Sequence, residues 1–321
     1  VAGDIAVLLT NDQLTPLWSG AAPDLIIGGP PCTAFSHAGF WIDYKREGRD
    51  AAADGIDHFA TAVEQFRPRA FVLENVPGIL FRNHQHRLEQ FIKRVKKVDY
   101  QTRVVKLDAS RFGTAQARKR VFVVGTRGPS PLLSGLEWDV QRTAGWALQG
   151  IENNPHEADE VPRGKYLELL RGTPAGANYL VHTKERGCSA PAFKYRGRYW
   201  SFLLKLHPDA PSPTLPAQRV TWNGPFHWEN RHLRLREMAR LQGFPDHMPF
   251  NDSLGDSRRQ VGNAVPVPLA AAVISAVIRS LGGCGIDPEL ERVLRHPEAT
   301  AAEVHEHLAH HCLRQRHLAT G

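Results

Sequence analysis

One residue in this chain carries a side chain suited to covalent chemistry from a position that its neighbours fix: Cys32. Cys32 ends the run Asp24-Leu-Ile-Ile-Gly-Gly-Pro-Pro-Cys32. The thiolate is the nucleophilic form, and an ordinary thiol with a pKa of about 8.5 is only a few per cent ionised at neutral pH. A nucleophilic role therefore requires surroundings that favour the anion. Pro30 and Pro31 fix φ immediately before the cysteine, while Gly28 and Gly29 let the chain turn sharply or approach a ligand closely. Taken alone, Pro-Cys reads more readily as a small buried thiol in a loop.

The elements that would hold such a residue are legible nearby. Asp24 to Ile27 is a short apolar run of the kind found in buried parallel strands. Cys32 would then sit on a rigid loop at the carboxyl end of a parallel strand, where open α/β sheets bind ligands. Ile56 to Phe66 has helical apolar spacing and ends at Pro68. The run from Arg69 to Leu73 predicts a second strand, which delivers Glu74 and Asn75 into a Pro77-Gly78 turn. A basic amphipathic helix is expected over 85–97, and β-rich runs over 100–108 and 120–126. Gln116, Arg118 and Arg120 lead into the last of these runs. Strand, helix, strand, helix, strand, strand implies a doubly wound α/β sheet with an irregular end.

From Gly128 to about Trp228 the periodicity fades and Pro, Gly and Arg become frequent, as in a small loop-rich domain. Within it, the stretch from Phe193 to Trp200 interleaves Lys194, Arg196 and Arg198 with aromatic residues. Such a pattern could track phosphates and stack on bases, and it equally fits a strand with a polar face. A short helix is expected from Arg236 to a stop at Gly243, and an apolar one from Leu269 to Leu281. The tail from 282 to 321 is polar and His-rich, and reads as a solvated helix rather than a metal site. The 321 residues carry a net charge of +7, which fits a polyanionic partner. The four cysteines form no C-x-x-C pair, so neither zinc nor a disulfide framework is indicated, and a reducing cytoplasmic compartment is expected. No run approaches the length of a membrane span.

Five pieces occur in one order: Pro31-Cys32-x-x-Phe35-Ser36, Glu74-Asn75-Val76, Gln116-x-Arg118-x-Arg120, Arg236-Glu237 through Gly243-Phe-Pro-Asp246, and Gly262-Asn263-Ala-Val-Pro266. Together they resemble the signature motifs of the DNA cytosine-5 methyltransferases of bacterial restriction-modification systems. The resemblance covers about Gly3 to Leu281. It implies a Rossmann-like α/β methyltransferase sheet, double-stranded DNA as partner and S-adenosylmethionine as cofactor. It further implies catalytic residues Cys32, Glu74, Arg118 and Arg120. Cys32 would add to carbon 6 of a flipped-out cytosine so that carbon 5 becomes nucleophilic. Glu74 would bond ring nitrogen 3 and the exocyclic amine, and would need a raised pKa to donate to that nitrogen. Arg120 would face the ring carbonyl, and Arg118 would order the loop. Asp4, Ile5, Pro30 and Asn263 would bind cofactor. Ser36, Gln116, Lys194, Arg196 and Arg198 would contact DNA. Residues 36–54 would form a closing loop.

The implied domains are catalytic over 1–128 with 256–281, target-recognising over 129–255, and a polar helical tail over 282–321. The family's Gly-rich cofactor turn does not precede Gly3. The expectation is therefore a catalytic sheet lacking its N-terminal strands, in a truncated or split enzyme, with a separate chain carrying that motif as a partner. A non-catalytic binding relative and an RNA cytosine-5 methyltransferase stand as alternatives.

Overall fold

The computed structural model describes residues 5–10, 14, 22–31, 51–130, 133, 135–151, 155–250 and 253–319. The chain divides into two compact units. Unit 1 comprises Val1–Leu107, Lys119–Leu136 and Ala272–Gly285, and unit 2 comprises Asp108–Arg118, Glu137–Ala271 and Ile286–Gly321. The strands are β1 (Leu25–Gly28), β2 (Ala70–Asn75), β3 (Gln101–Asp108) and β4 (Lys119–Thr126). Among the described residues the α-helices are α1 (Ile5–Thr10), α2 (Ala51–Phe66), α3 (Gln85–Lys96), α4 (Ala144–Leu148), α5 (Leu167–Arg171), α6 (Leu235–Leu241), α7 (Leu254–Asn263), α8 (Val267–Ser280), α9 (Pro288–Arg295) and α10 (Ala301–Ala319).

Among the described residues, unit 1 is built on a four-stranded sheet of order β1-β2-β4-β3. β1 runs parallel to β2, with Gly28 opposite Leu73, and β4 runs antiparallel to β2, with Phe122 opposite Glu74. The strand, helix, strand, helix, strand, strand order expected from the sequence is present, and antiparallel β4 is its irregular member. Phe71, Leu73, Val121 and Val123 share one face by the two-residue period of strands. They pack in one core with Ile56, Phe59, Ala60 and Val63 of α2 and Leu88, Phe91 and Val95 of α3. The apolar positions of each helix recur at three and four residues, which aligns them in a single stripe. Gly125 makes this packing feasible: a Cβ there would lie 2.1 Å from the Phe71 ring, its cross-strand neighbour. After α8, Gly282 at φ +88° closes the helix, with its N–H donating to the Arg279 carbonyl and that of Gly283 to Ile278. This pairing satisfies carbonyls that a helix end otherwise leaves open.

Unit 2 is poor in regular structure and holds its loops by charge and short bridges. The Glu237 carboxylate accepts from Arg231 Nη1 and Nη2 at 2.9 and 2.7 Å and from the Arg234 amide at 2.8 Å. Arg234 Nε donates to Glu160 at 2.7 Å, and Arg258 pairs with Asp159 at 3.1 Å. Burial alone would raise the Glu160 carboxyl, but hydrogen bonds from Arg234 and His156 hold it down at about 2. Hydrogen bonds from Arg258 and Arg219 likewise hold Asp159 far below the usual carboxylate range against the effect of its burial.

The segments 108–118 and 256–271 lie in unit 2. One expectation is corrected here: the tail is not a solvated helix. Leu290, Val293 and Leu294 of α9 and Ala301, Val304 and Leu308 of α10 are buried, as is His305. Arg142 donates to the carbonyls of Gly113, Val293 and Leu294, and Trp146 Nε1 to that of Ala299. The apolar stripe of α9 is hidden among charged residues in sequence, and burial of that stripe docks the tail.

Among the described residues no single helix is long and apolar enough to cross a membrane. The bent pair α7 and α8 passes by length and composition alone, and Leu269, Ala272, Val273, Ala276 and Val277 of α8 are buried.

Candidate active site and nucleic-acid interface

Parallel β1 and β2 end side by side, so Gly29 through Pro31 and Glu74-Asn75 emerge together at their carboxyl ends. A Cβ on Gly29 would lie 3.1 Å from Glu74 Oε2. The glycine thus gives the carboxyl room beside the loop. Asn75 is 2% exposed, donates from Nδ2 to the Pro30 carbonyl at 3.4 Å, and accepts from the Val76 amide at 2.9 Å. On the other side of the loop, a Cβ on Gly55 of α2 would lie 3.0 Å from Pro31 Cδ. Close helix approach on one side and an amide hydrogen bond on the other fix the backbone that leads to Cys32. Cys32, Ser36, Asp4 and most of the expected closing loop lie outside the described residues, as does the side chain of Ile5.

Because β4 is antiparallel, its first residues reach the end of β2 where Glu74 stands. Arg120 precedes Phe122, the cross-strand partner of Glu74, by two residues, so Arg120 and Glu74 share a face. Arg120 Nε donates to Glu74 Oε1 at 2.7 Å, with the two side chains 10% and 16% exposed.

The other sequence-predicted residues fall in unit 2. Arg118 is 2% exposed, and its guanidinium donates to the carbonyls of Leu215 at 3.2 Å and Gly262 at 2.6 Å. It ties three chain segments of that unit together. Gly262 must be glycine, since a Cβ there would lie 2.5 Å from Ala217 Cα. Asn263, the last residue of α7, is exposed. Gln116 was expected to contact DNA, and this is corrected: its side chain is 0% exposed. The reason is local pairing. Ser212 donates its amide to the Ala115 carbonyl and accepts from the Ala117 amide, both at 2.8 Å, which turns the intervening side chain inward. Lys194, Arg196 and Arg198 are all exposed.

Sequence reasoning missed the residues that hold the Lys194–Trp200 loop. The Tyr179 hydroxyl donates to the Arg198 carbonyl at 2.9 Å and accepts from its amide at 3.2 Å. Asn178 Nδ2 donates to the Trp200 carbonyl at 2.9 Å. These contacts span about twenty residues without periodicity, so no local pattern announces them.

A mixed α/β sheet that brings a carboxyl, an arginine and the Pro30-Pro31 turn together at one end has the architecture of a Rossmann-like methyltransferase sheet. The model of the C-5 cytosine-specific DNA methylases matches residues 10–279. The type II methyltransferase M.SacI of Streptomyces achromogenes is 41% identical over 310 residues, spanning 88% of this chain and 78% of that protein. M.FnuDI of Fusobacterium nucleatum is 31% identical over 281 residues, spanning 80% and 77% respectively. A crystal structure assigned as a DNA modification methyltransferase from an E. coli prophage superposes with a TM-score of 0.60 at 24% identity, covering 88% of this chain and 86% of that one, which supports the fold. The chain belongs to the C-5 cytosine-specific DNA methylase family: it is a DNA cytosine-5 methyltransferase that uses S-adenosylmethionine.

Proposed function

We propose that this chain methylates cytosine within one specific duplex DNA sequence, as the modification enzyme of a restriction-modification pair in the cytoplasm, through a covalent Cys32 adduct to a base rotated out of the helix. The observation that carries the reading is the Glu74–Arg120 pair at the mouth of the Pro30-Pro31 loop. A flipped cytosine presents a ring nitrogen, an amine and a carbonyl on one edge. Glu74 meets the first two and Arg120 the third, once the ring enters between them and the carboxyl gains a proton. The Cys32 sulfur forms a bond to carbon 6, and the electron pair displaced to carbon 5 takes up the methyl group. Loss of the carbon 5 proton to a base then expels the thiolate and restores the ring. Arg118 acts at a distance, by ordering the loop segment that precedes Arg120.

S-adenosylmethionine supplies the electrophilic methyl group. Fit is favourable where the residues are described: Ile27 stands 58% exposed near the carboxyl end of β1, an apolar surface suited to a flat nucleoside face. Asp4, Ile5 and Asn263 are assigned to the cofactor, and Ser36 to DNA, on their motif positions alone. Residues 129–255 set the sequence read, with Lys194, Arg196 and Arg198 on phosphates.

The test supplies the chain with cofactor and a pool of randomised duplexes, and reads 5-methylcytosine by bisulfite sequencing. One arm adds a fragment carrying a glycine-rich cofactor turn. Methylation confined to one sequence, and trapping on 5-fluorocytosine DNA that is abolished in Cys32→Ser, are the expected results. An adduct formed by Cys32→Ser, or no methylation in either arm, overturns the reading. Turnover that needs the fragment supports a cofactor site that requires the glycine-rich turn, as in a truncated or split form, and full turnover without it removes that expectation.

A further inference from the structure

The loop 194–200 combines a tightly held backbone with bare aromatic rings. Tyr195, Tyr199 and Trp200 are 69%, 72% and 54% exposed. Yet the main chain on both sides of Tyr199 is pinned: Arg198 by the Tyr179 hydroxyl through its N–H and its carbonyl, Trp200 by Asn178 through its carbonyl. Tyr179 is itself fully buried, edge-on to Phe193 and Phe202. The Arg198 guanidinium lies 5.4 Å over the Phe202 ring and donates to the Tyr166 hydroxyl at 3.3 Å. The Tyr195 ring folds over Gly197, where a Cβ would come within 2.9 Å of it. Folding has therefore ordered a backbone whose rings gain little from folding. Rings presented this way lose little freedom on binding, which favours a dedicated ligand. Lys194, Arg196 and Arg198 alternate with the rings, and no acidic residue interrupts residues 193–200. The complementary ligand is a polyanion with flat apolar faces.

We propose that the loop 194–200 is a stacking head, in which Tyr199 and Trp200, with Tyr195 beside them, pack on base faces that open when the duplex is distorted, while Lys194 and Arg196 hold the flanking phosphates. This rests on the reading of the chain as an enzyme that rotates a base out of DNA. An intact duplex hides its base faces, and extrusion of a base exposes neighbouring ones. Stacking tolerates any base, so the head contributes affinity for distorted DNA and favours steps that unstack easily.

The experiment uses the full chain and a short labelled duplex carrying the sequence that it methylates in the randomised pool, with affinity followed by anisotropy across a salt series. Tyr199→Ser with Trp200→Ser is expected to weaken binding by roughly tenfold per ring, with the salt slope and melting temperature unchanged. Tyr199→Phe with Trp200→Phe should bind within about threefold of the parent, because the faces persist. Lys194→Gln with Arg196→Gln should instead lower the salt slope by roughly 0.9 per lost phosphate contact. Gly197→Ala, which pushes only the exposed Tyr195 ring aside, should weaken binding at constant slope. The inference is overturned if the serine pair binds as tightly as the parent, if its loss comes with a reduced salt slope, or if the phenylalanine pair loses as much as the serine pair. A parent chain that methylates no duplex overturns the functional reading instead, before any variant is compared.

Discussion

Glu237→Gln is the most informative single change for the stability of unit 2. Three donors converge on this carboxylate, all within 2.9 Å, and the Glu237 and Arg231 side chains are 3% and 9% exposed. Burial alone would lower Arg231; the Glu237 hydrogen bonds hold it above its ordinary range instead. Glutamine keeps one acceptor oxygen and turns an amide N–H₂ toward a donor. Breaking a buried ion pair costs about 3–5 kcal/mol, because the surviving charge is left uncompensated. Here Arg231 retains Glu229 at 3.1 Å, on a side chain 61% exposed. That residual pairing places the loss near the lower figure, about 3 kcal/mol, a large part of the roughly 5–15 kcal/mol that hold a typical domain folded. The control is Glu229→Gln, an exposed partner whose loss should be below about 1 kcal/mol. Urea unfolding followed by tryptophan fluorescence measures both without screening charge. A Glu237→Gln protein within about 1 kcal/mol of the parent would refute the reasoning, since the buried pair would then be no more than a surface contact.

Other consequences are as specific. Glu74→Gln removes the charge that compensates the largely buried Arg120 guanidinium, so it should cost stability as well, and on protein checked to be folded, single-turnover tritium transfer to DNA should fall by roughly 10²–10⁴-fold. Gly262→Ala drives a methyl onto the Ala217 and Pro216 backbone at 2.5 Å and displaces the carbonyl that holds Arg118, so it should lower stability by about 1–3 kcal/mol in thermal melts. Burial pushes His305 down to about 4, with Asp246, Arg240 and Arg142 around it. The unfolded chain binds a proton there below about pH 6.5 that the folded chain refuses, so this contribution to stability is complete above that pH and declines toward about pH 4. His305→Leu should therefore match the parent near neutrality within the effect of repacking, and gain on it by roughly 3 kcal/mol at about pH 4; parallel pH profiles would refute the assignment.

Local pattern carried much of this protein. Apolar runs with punctuation marked β1, β2 and β4, because a buried strand must be apolar and a turn must break it. Helical spacing marked α2 and α3 for the same reason. Glu74, Asn75, Arg118 and Arg120 were legible as candidate site residues because they stand in motifs that resemble the family's; Glu74 and Asn75 close β2, and Arg120 is the second residue of β4. What no local pattern contained was contact across distance. That Arg120 meets Glu74 follows from β4 being antiparallel, which no residue in β4 states. Gln116 looked like a surface polar residue until pairing with Ser212 turned it inward. The His-rich tail looked solvated because its charges dominate its composition, yet only tertiary packing decides that Leu290, Val304 and His305 are buried. The alternation of rings and cations over 193–200 was plain in the sequence. That the loop's backbone is pinned by Tyr179 and Asn178 while its rings stay bare was decided by the fold alone, because hydrogen bonds across some twenty residues leave no trace in periodicity.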